Sequence, residues 1–184
     1  KSYVEATKAN ENILPGEIPS TLNLYVLGFD QNKHLNNTSD TVKKNLSTYL
    51  SEYRIIGDTV SIKDGFVINI GVDFEIITLP NFNSNEVLSR CITELQKYFA
   101  IDNWTFNQPI LLKELFINLD KVKGVQTVKD VYITNKTGVA LGYSEYAYDL
   151  ERATQNNTIY PSLDPSVFEV KYPDTDIRGR VVSL

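Results

Sequence analysis

The chain holds one histidine and one cysteine, and this bounds its chemistry. His34 sits in a polar stretch, QNKHLNNTSD, with no nucleophile cue beside it. We read it as an exposed loop residue. Cys91 falls on the apolar side of a helical pattern, with no cationic neighbour in view. It reads as a small buried hydrophobe, not a reactive thiol. A disulfide within the chain is impossible, and a zinc site built on Cys and His nearly so. Asp73 and Glu75 lie two apart on a strand pattern and so share one face. Paired carboxylates could serve a glycosidase, but such a pair is more often a solvated face. Asp64 and Gly65 lack the further carboxylates a metal loop needs. No catalytic, cofactor or metal residue is assigned, and we expect no enzyme.

The elements that would position any site centre on Phe66 to Leu79. Phe66, Ile68, Ile70, Val72, Phe74 and Ile76 alternate with Asn69, Gly71, Asp73 and Glu75. That period of two predicts a long strand with one buried face. Gly71 marks a bend and Pro80 the end. An earlier strand is predicted at Thr21 to Phe29, and a short one at Thr59 to Ile62. A three-residue loop would pair Ile62 with Phe66 and Val60 with Ile68, with Gly65 left-handed. The first helix follows Ser39 or Asp40 and carries Val42, Leu46, Tyr49, Leu50 and Tyr53 on one face, with Gly57 near its end. The second opens on an asparagine variant of the capping box, Asn83 to Glu86. It shows Val87, Leu88, Cys91, Ile92, Leu95, Tyr98 and Phe99. A third is expected to open at Pro109 and end at Gly124, followed by a strand at Val125 to Thr134.

The domain reading is a linker or lead-in segment over 1–20, marked by Pro15, Gly16 and Pro19; a two-layer core over 21–136; and an extended, tyrosine-rich segment over 137–184. In that last segment Val167 to Tyr172 and Arg180 to Val182 are expected to pair around a turn. It either covers its own domain or is completed by a partner. Tyr143, Tyr146, Tyr148, Tyr160 and Tyr172 are the candidate interface residues. The fold class expected is α+β: a ferredoxin-like split β-α-β two-layer sandwich with an inserted third helix. A net charge of −5 makes free nucleic acid and anionic membrane poor partners. No run of 18 apolar residues offers a transmembrane helix. There is no methionine, position 1 included, so we expect a fragment or processed product.

Four stretches carry a resemblance: TVKKNLSTYLSEYR, VINIGVDFEIITL, SNEVLSRCITELQKYF and NQPILLKELFINLDKVKGVQTV. With the closing FEVKYPDTDIRGRVV, they resemble the C-terminal part of the baseplate wedge proteins of T-even-type contractile-tail phages, related to the baseplate J family. The resemblance spans about Ile18 to Val182. It implies a virion structural protein of the tail baseplate, assembled in the host cytoplasm. It implies an inner ring that links neighbouring wedges and rearranges on sheath contraction, with contacts to other wedge subunits and to itself, as a homodimer. It brings no enzyme site and no cofactor. The alternative class is a tail-associated receptor-binding or carbohydrate-active module.

Overall fold

The computed structural model describes residues 1–7, 21–53 and 59–183. Two compact units divide the chain, Lys1–Phe66 and Val67–Leu184. The first contains β1 (Ser2–Thr7), β2 (Thr21–Val26), β3 (Gly28–Phe29), β4 (Leu35–Asn36), α1 (Asp40–Ser51) and β5 (Thr59–Asp64). Its sheet has the order β1-β2-β5, with β1 antiparallel and β5 parallel to β2. Val4, Leu24 and Ile62 line up across it, so one face is apolar. α1 lies in the crossover between the parallel pair, as a β-α-β unit requires. Ser39 caps it, accepting the Val42 N–H at 3.4 Å. Lys43 ties it to the sheet, with Nζ 2.7 Å from Asp64 and 3.2 Å from Asp40.

The α1 stripe is less buried than its periodicity predicts. The helix meets its three-stranded sheet along Lys43, Leu46 and Leu50, all half-buried, and leaves Val42 and Tyr49 exposed. The lead-in reading of 1–20 also changes, because its first residues form β1. Pro15, Gly16, Pro19 and Gly57 lie outside the described residues.

The second unit is built on β6 (Phe66–Thr78), whose first residue belongs to the unit before. Then follow α2 (Ser84–Tyr98), β7 (Ile110–Leu111), α3 (Leu112–Asp120), β8 (Val125–Asn135), α4 (Leu150–Ala153), β9 (Thr154–Gln155), β10 (Thr158–Ile159), β11 (Ser166–Glu169), α5 (Pro173–Asp176) and β12 (Ile177–Val181). β6 is the hub of a four-stranded sheet with β8, β11 and β12 as partners. β8 runs antiparallel to it over Ile70–Thr78, and β12 runs parallel over Val72–Ile76. Ile68, Ile70, Val72, Phe74 and Ile76 are buried on one face. α2 packs over that face with Val87, Cys91 and Leu95, each fully buried. Each such aliphatic side chain contributes about 1.5–3 kcal/mol on burial before entropy is counted. Asn83 caps α2, accepting the N–H groups of Asn85 and Glu86. Glu86 turns forward to Arg90 instead of back to the cap, so only half of the capping box forms.

The mixed α+β class and the helix-on-sheet layering are present, but the strand partners are not those of one ferredoxin-like sheet. β5 pairs with β2, with Val60 opposite Leu22 and Ile62 opposite Leu24. The Gly65 N–H donates to the Val26 carbonyl at 3.1 Å, and among the described residues β5 and β6 belong to different sheets, so the expected hairpin pairing is not made. Gly65 is not among the glycines at positive φ. Pro109 does not open α3, because Ile110 and Leu111 first pair with Ile159 and Thr158. The expected pairing of Val167–Tyr172 with Arg180–Val182 is replaced too. β11 and β12 each join β6 and not one another. The boundary expected at 136 therefore falls inside the second unit, and 137–184 supplies two strands of its sheet.

Gly179 shows why β12 fits there. It lies beside Phe74, and a Cβ on it would collide with the Phe74 ring and with Leu88 of α2. Only glycine lets the helix and the aromatic ring close over this strand.

Candidate interaction surface

The odd-numbered residues of β6 form the second face of the sheet, and the chain treats its two halves differently. The first half is covered by the chain's own 137–149 stretch. Asn69, 1% exposed, pins that cover. Its Oδ1 accepts the Ser144 N–H at 2.7 Å, and its Nδ2 donates to Glu169 Oε2 at 2.7 Å. Its carbonyl accepts the Lys136 N–H at 2.8 Å and the Asn135 side-chain amide at 3.0 Å. A polar residue inside a central strand is tolerated only when paired this fully. Gly71, next on this face, leaves room for the Lys136 stem.

The second half of the face stays open and carries charge. Parallel register places Arg178 beside Asp73 and Arg180 beside Glu75. Antiparallel register places Tyr132 beside Asp73 and Asp130 beside Glu75. Between Glu75 and Ile76 the β8 register slips by a residue, and Lys129 is the extra one. The bulge turns its ammonium towards Glu75, 3.4 Å from Oε2. Arg180 reaches the other oxygen, with Nε at 3.0 Å and Nη2 also bonded. A cleft of about 250 Å³ lies between Tyr132, Asp73, Glu75 and the two arginines.

These contacts correct the reading of Glu75 as a solvated residue, since its side chain is only 9% exposed. Hydrogen bonds from Arg180, with Lys129 adding to them, hold its carboxyl below the usual range. A general acid needs the opposite shift. The Asp130 carboxylate raises the Tyr132 phenol. Cys91 is buried, and desolvation pushes its thiol up to about 11. His34 Nδ1 lies 3.2 Å from Asp30 Oδ2, in the turn between β3 and β4. Asp30 also accepts the His34 and Asn32 N–H groups, which lower its pKa. Among the described residues no three His, Cys, Asp or Glu side chains converge on a metal-sized site.

The five candidate tyrosines fall into two groups. Tyr143 and Tyr172 meet edge to face at 5.4 Å, joined by Asp176. The Tyr143 hydroxyl donates to Asp176 Oδ1 at 2.6 Å, and the Tyr172 N–H donates to Oδ2 at 3.0 Å. Burial, then the Asp176 bond, pushes the Tyr143 phenol up to about 12. Tyr146 and Tyr148 stack at 6.3 Å. Tyr148 also donates its hydroxyl to the Tyr160 carbonyl at 2.8 Å, and its ring leans on Phe168. Four of the five are half-buried in their own unit, and only Tyr160 is exposed. Their rings secure the segment to the sheet first. Asn69, Asp176 and the arginine ladder were missed by sequence reasoning. The signal for the ladder, Arg178 and Arg180 two apart like Asp73 and Glu75, was present in the residues.

No family model matches the chain, and no curated protein matches it. Among solved structures, the fold is similar to a chain in the cryo-EM structure of the anti-feeding prophage baseplate, 6-fold symmetrised. The TM-score is 0.51 at 12% sequence identity, and the match covers 90% of this chain. The chain spans about a third of the length of that protein, 33%. What the comparison establishes is a shared fold with a chain of a contractile-particle baseplate structure.

Proposed function

We propose that this chain is a structural part of a contractile tail baseplate, acting by packing against other subunits and not by catalysis. The observation that carries the reading is the fold likeness to the anti-feeding prophage baseplate chain over 90% of this sequence. The finer proposal is a wedge protein of the T-even, baseplate J-like type. Its inner ring joins neighbouring wedges and rearranges on sheath contraction, in a virion assembled in the host cytoplasm. Its partners are other wedge subunits and a second copy of itself. The net charge of −5 supports a role without nucleic acid or membrane contact. The salt-bridged Glu75 and buried Cys91 support a role without catalysis. The open sides of Tyr143, Tyr146, Tyr148, Tyr160 and Tyr172 are the proposed rim of the contact, with exposed Tyr160 the most available.

The test is assembly. The purified chain is run on a sizing column with light scattering, alone and with the other baseplate subunits of the same particle. A complex with at least one subunit is expected, and a dimer of the chain alone. Monomer in every mixture at high micromolar concentration would sink the proposal.

A further inference from the structure

We propose that the outer edge of β12 is a docking site for an extended, acidic strand of another polypeptide. The inference deepens the assembly reading above and rests on it for the existence of a partner. β12 has β6 on one side and, among the described residues, no strand on the other. The Val182 N–H donates to the Ile76 carbonyl at 2.9 Å, which fixes the parity of the strand. Residues 178, 180 and 182 turn their backbone groups towards β6. Ile177, Gly179 and Val181 turn theirs outward, where a further strand can bond them.

The side chains say what that strand carries. Arg178 and Arg180 stand on one face of β12, beside Asp73 and Glu75 respectively on the β6 side. Arg178 is exposed, and its Nε donates to the Thr175 carbonyl at 2.8 Å. Arg180 is 73% exposed despite its bond to Glu75. A strand added at the free edge places its own residues beside the same two arginines. Acidic residues two apart there repeat the existing ladder on the other side. The residues between them fall on the helix-covered face, next to Ile177, Gly179 and Leu88, and should be apolar. A second copy of β12 is a poor occupant, since it sets arginine opposite arginine. Edge strands left in this state are ordinarily protected, and paired arginines are one such guard against unselective pairing.

The probe is a peptide of about seven residues alternating valine and glutamate, titrated into the isotope-labelled chain and followed by NMR. The amides of Gly179 and Val181 should shift and become protected from exchange. A valine–lysine peptide should bind at least about tenfold more weakly. Val181→Pro removes an outward N–H, which an edge strand tolerates, and should abolish binding. Arg178→Gln touches no core contact and should weaken binding about three- to tenfold. Equal affinity for the two peptides overturns the proposal. So does a folded Val181→Pro variant that binds like the parent. If Val181→Pro does not fold, unchanged affinity in Arg178→Gln overturns it. Dimerisation of the chain through β12, lost in Val181→Pro, also overturns it. Peptide binding needs no other baseplate subunit, so failure here with co-assembly intact removes the edge and leaves the scaffold reading standing.

Discussion

Asn69→Ala removes two side-chain hydrogen bonds from the middle of the central strand. The bond to the Ser144 N–H is of the neutral kind, worth about 0.5–1.5 kcal/mol net. The bond to Glu169 has a buried carboxylate as acceptor, worth about 1.5–3 kcal/mol. Losing both should destabilise the second unit by about 2–4 kcal/mol. With a urea slope of about 2 kcal/mol per molar, the middle of the usual range, the midpoint falls by about 1–2 M. Asn69→Asp separates hydrogen bonding from packing, because it keeps the size and removes the donor. Its introduced carboxylate faces Glu169, and the two repel while both are ionised. As the pH falls, one of the two takes up a proton and becomes the donor. The stability of Asn69→Asp relative to the parent should therefore rise as pH falls. Urea titrations of the three proteins at pH 7 and pH 4.5 provide the assay. An Asn69→Ala midpoint within about 0.3 M of the parent would refute the reasoning.

Glu75 has a lowered carboxyl pKa in the folded chain. Its contribution is present above the ordinary carboxylate range and is lost as pH falls through the folded value. Glu75→Gln should flatten the acid limb of the stability–pH curve, and identical limbs would count against the pairing with Arg180 and Lys129. Cys91, with a thiol raised to about 11, should resist iodoacetamide at pH 8 until urea unfolds the second unit; labelling at a free-thiol rate in the native state would contradict its burial. Gly179→Ala should cost about 1–3 kcal/mol by overpacking against Phe74 and Leu88, read as a lower urea midpoint. Truncation after Lys136 should abolish the cooperative melt of the second unit, because it removes β11 and β12; a sharp transition in the shortened chain would show that the 137–184 segment is dispensable to the sheet.

The strong periodicities in the sequence translate directly. β6 and α2 stand where the alternation at 66–76 and the stripe at 87–99 place them, because the alternating residues from Ile68 to Ile76 and the helix residues Val87, Cys91 and Leu95 are buried, with Phe66 alone of the alternation exposed. The polar face of β6 was less legible. Asn69 and Glu75 give the same alternating pattern whether they meet water or a buried partner, and their partners lie about 100 residues away, at Glu169 and Arg180. The strands of 137–184 are short, so no period can build up in them. What decides their placement is a set of contacts with β6 that no local window contains. The α1 stripe misled for the converse reason: its pattern is helical, but a three-stranded sheet covers only part of it. The candidate tyrosines hold contacts within their own unit, and residue type alone does not separate a ring that meets its own chain from one that meets a partner.

The parallel seat of β12 has a consequence for the order of folding. Arg180 and Glu75 are 105 positions apart. Closing so long a loop is entropically unfavourable, though the penalty grows only with the logarithm of its length. Non-local pairing of this kind slows folding relative to helical contacts. During synthesis β6 and α2 emerge well before β12, so one margin of the central strand waits unpaired while the intervening chain is made. α2 can lie on its face of β6 early, yet the Phe74 ring gains its close backbone neighbour only when Gly179 arrives. β12 then acts as a latch: a chain cut short before residue 177 has an open sheet margin, which makes it a substrate for chaperones and proteases.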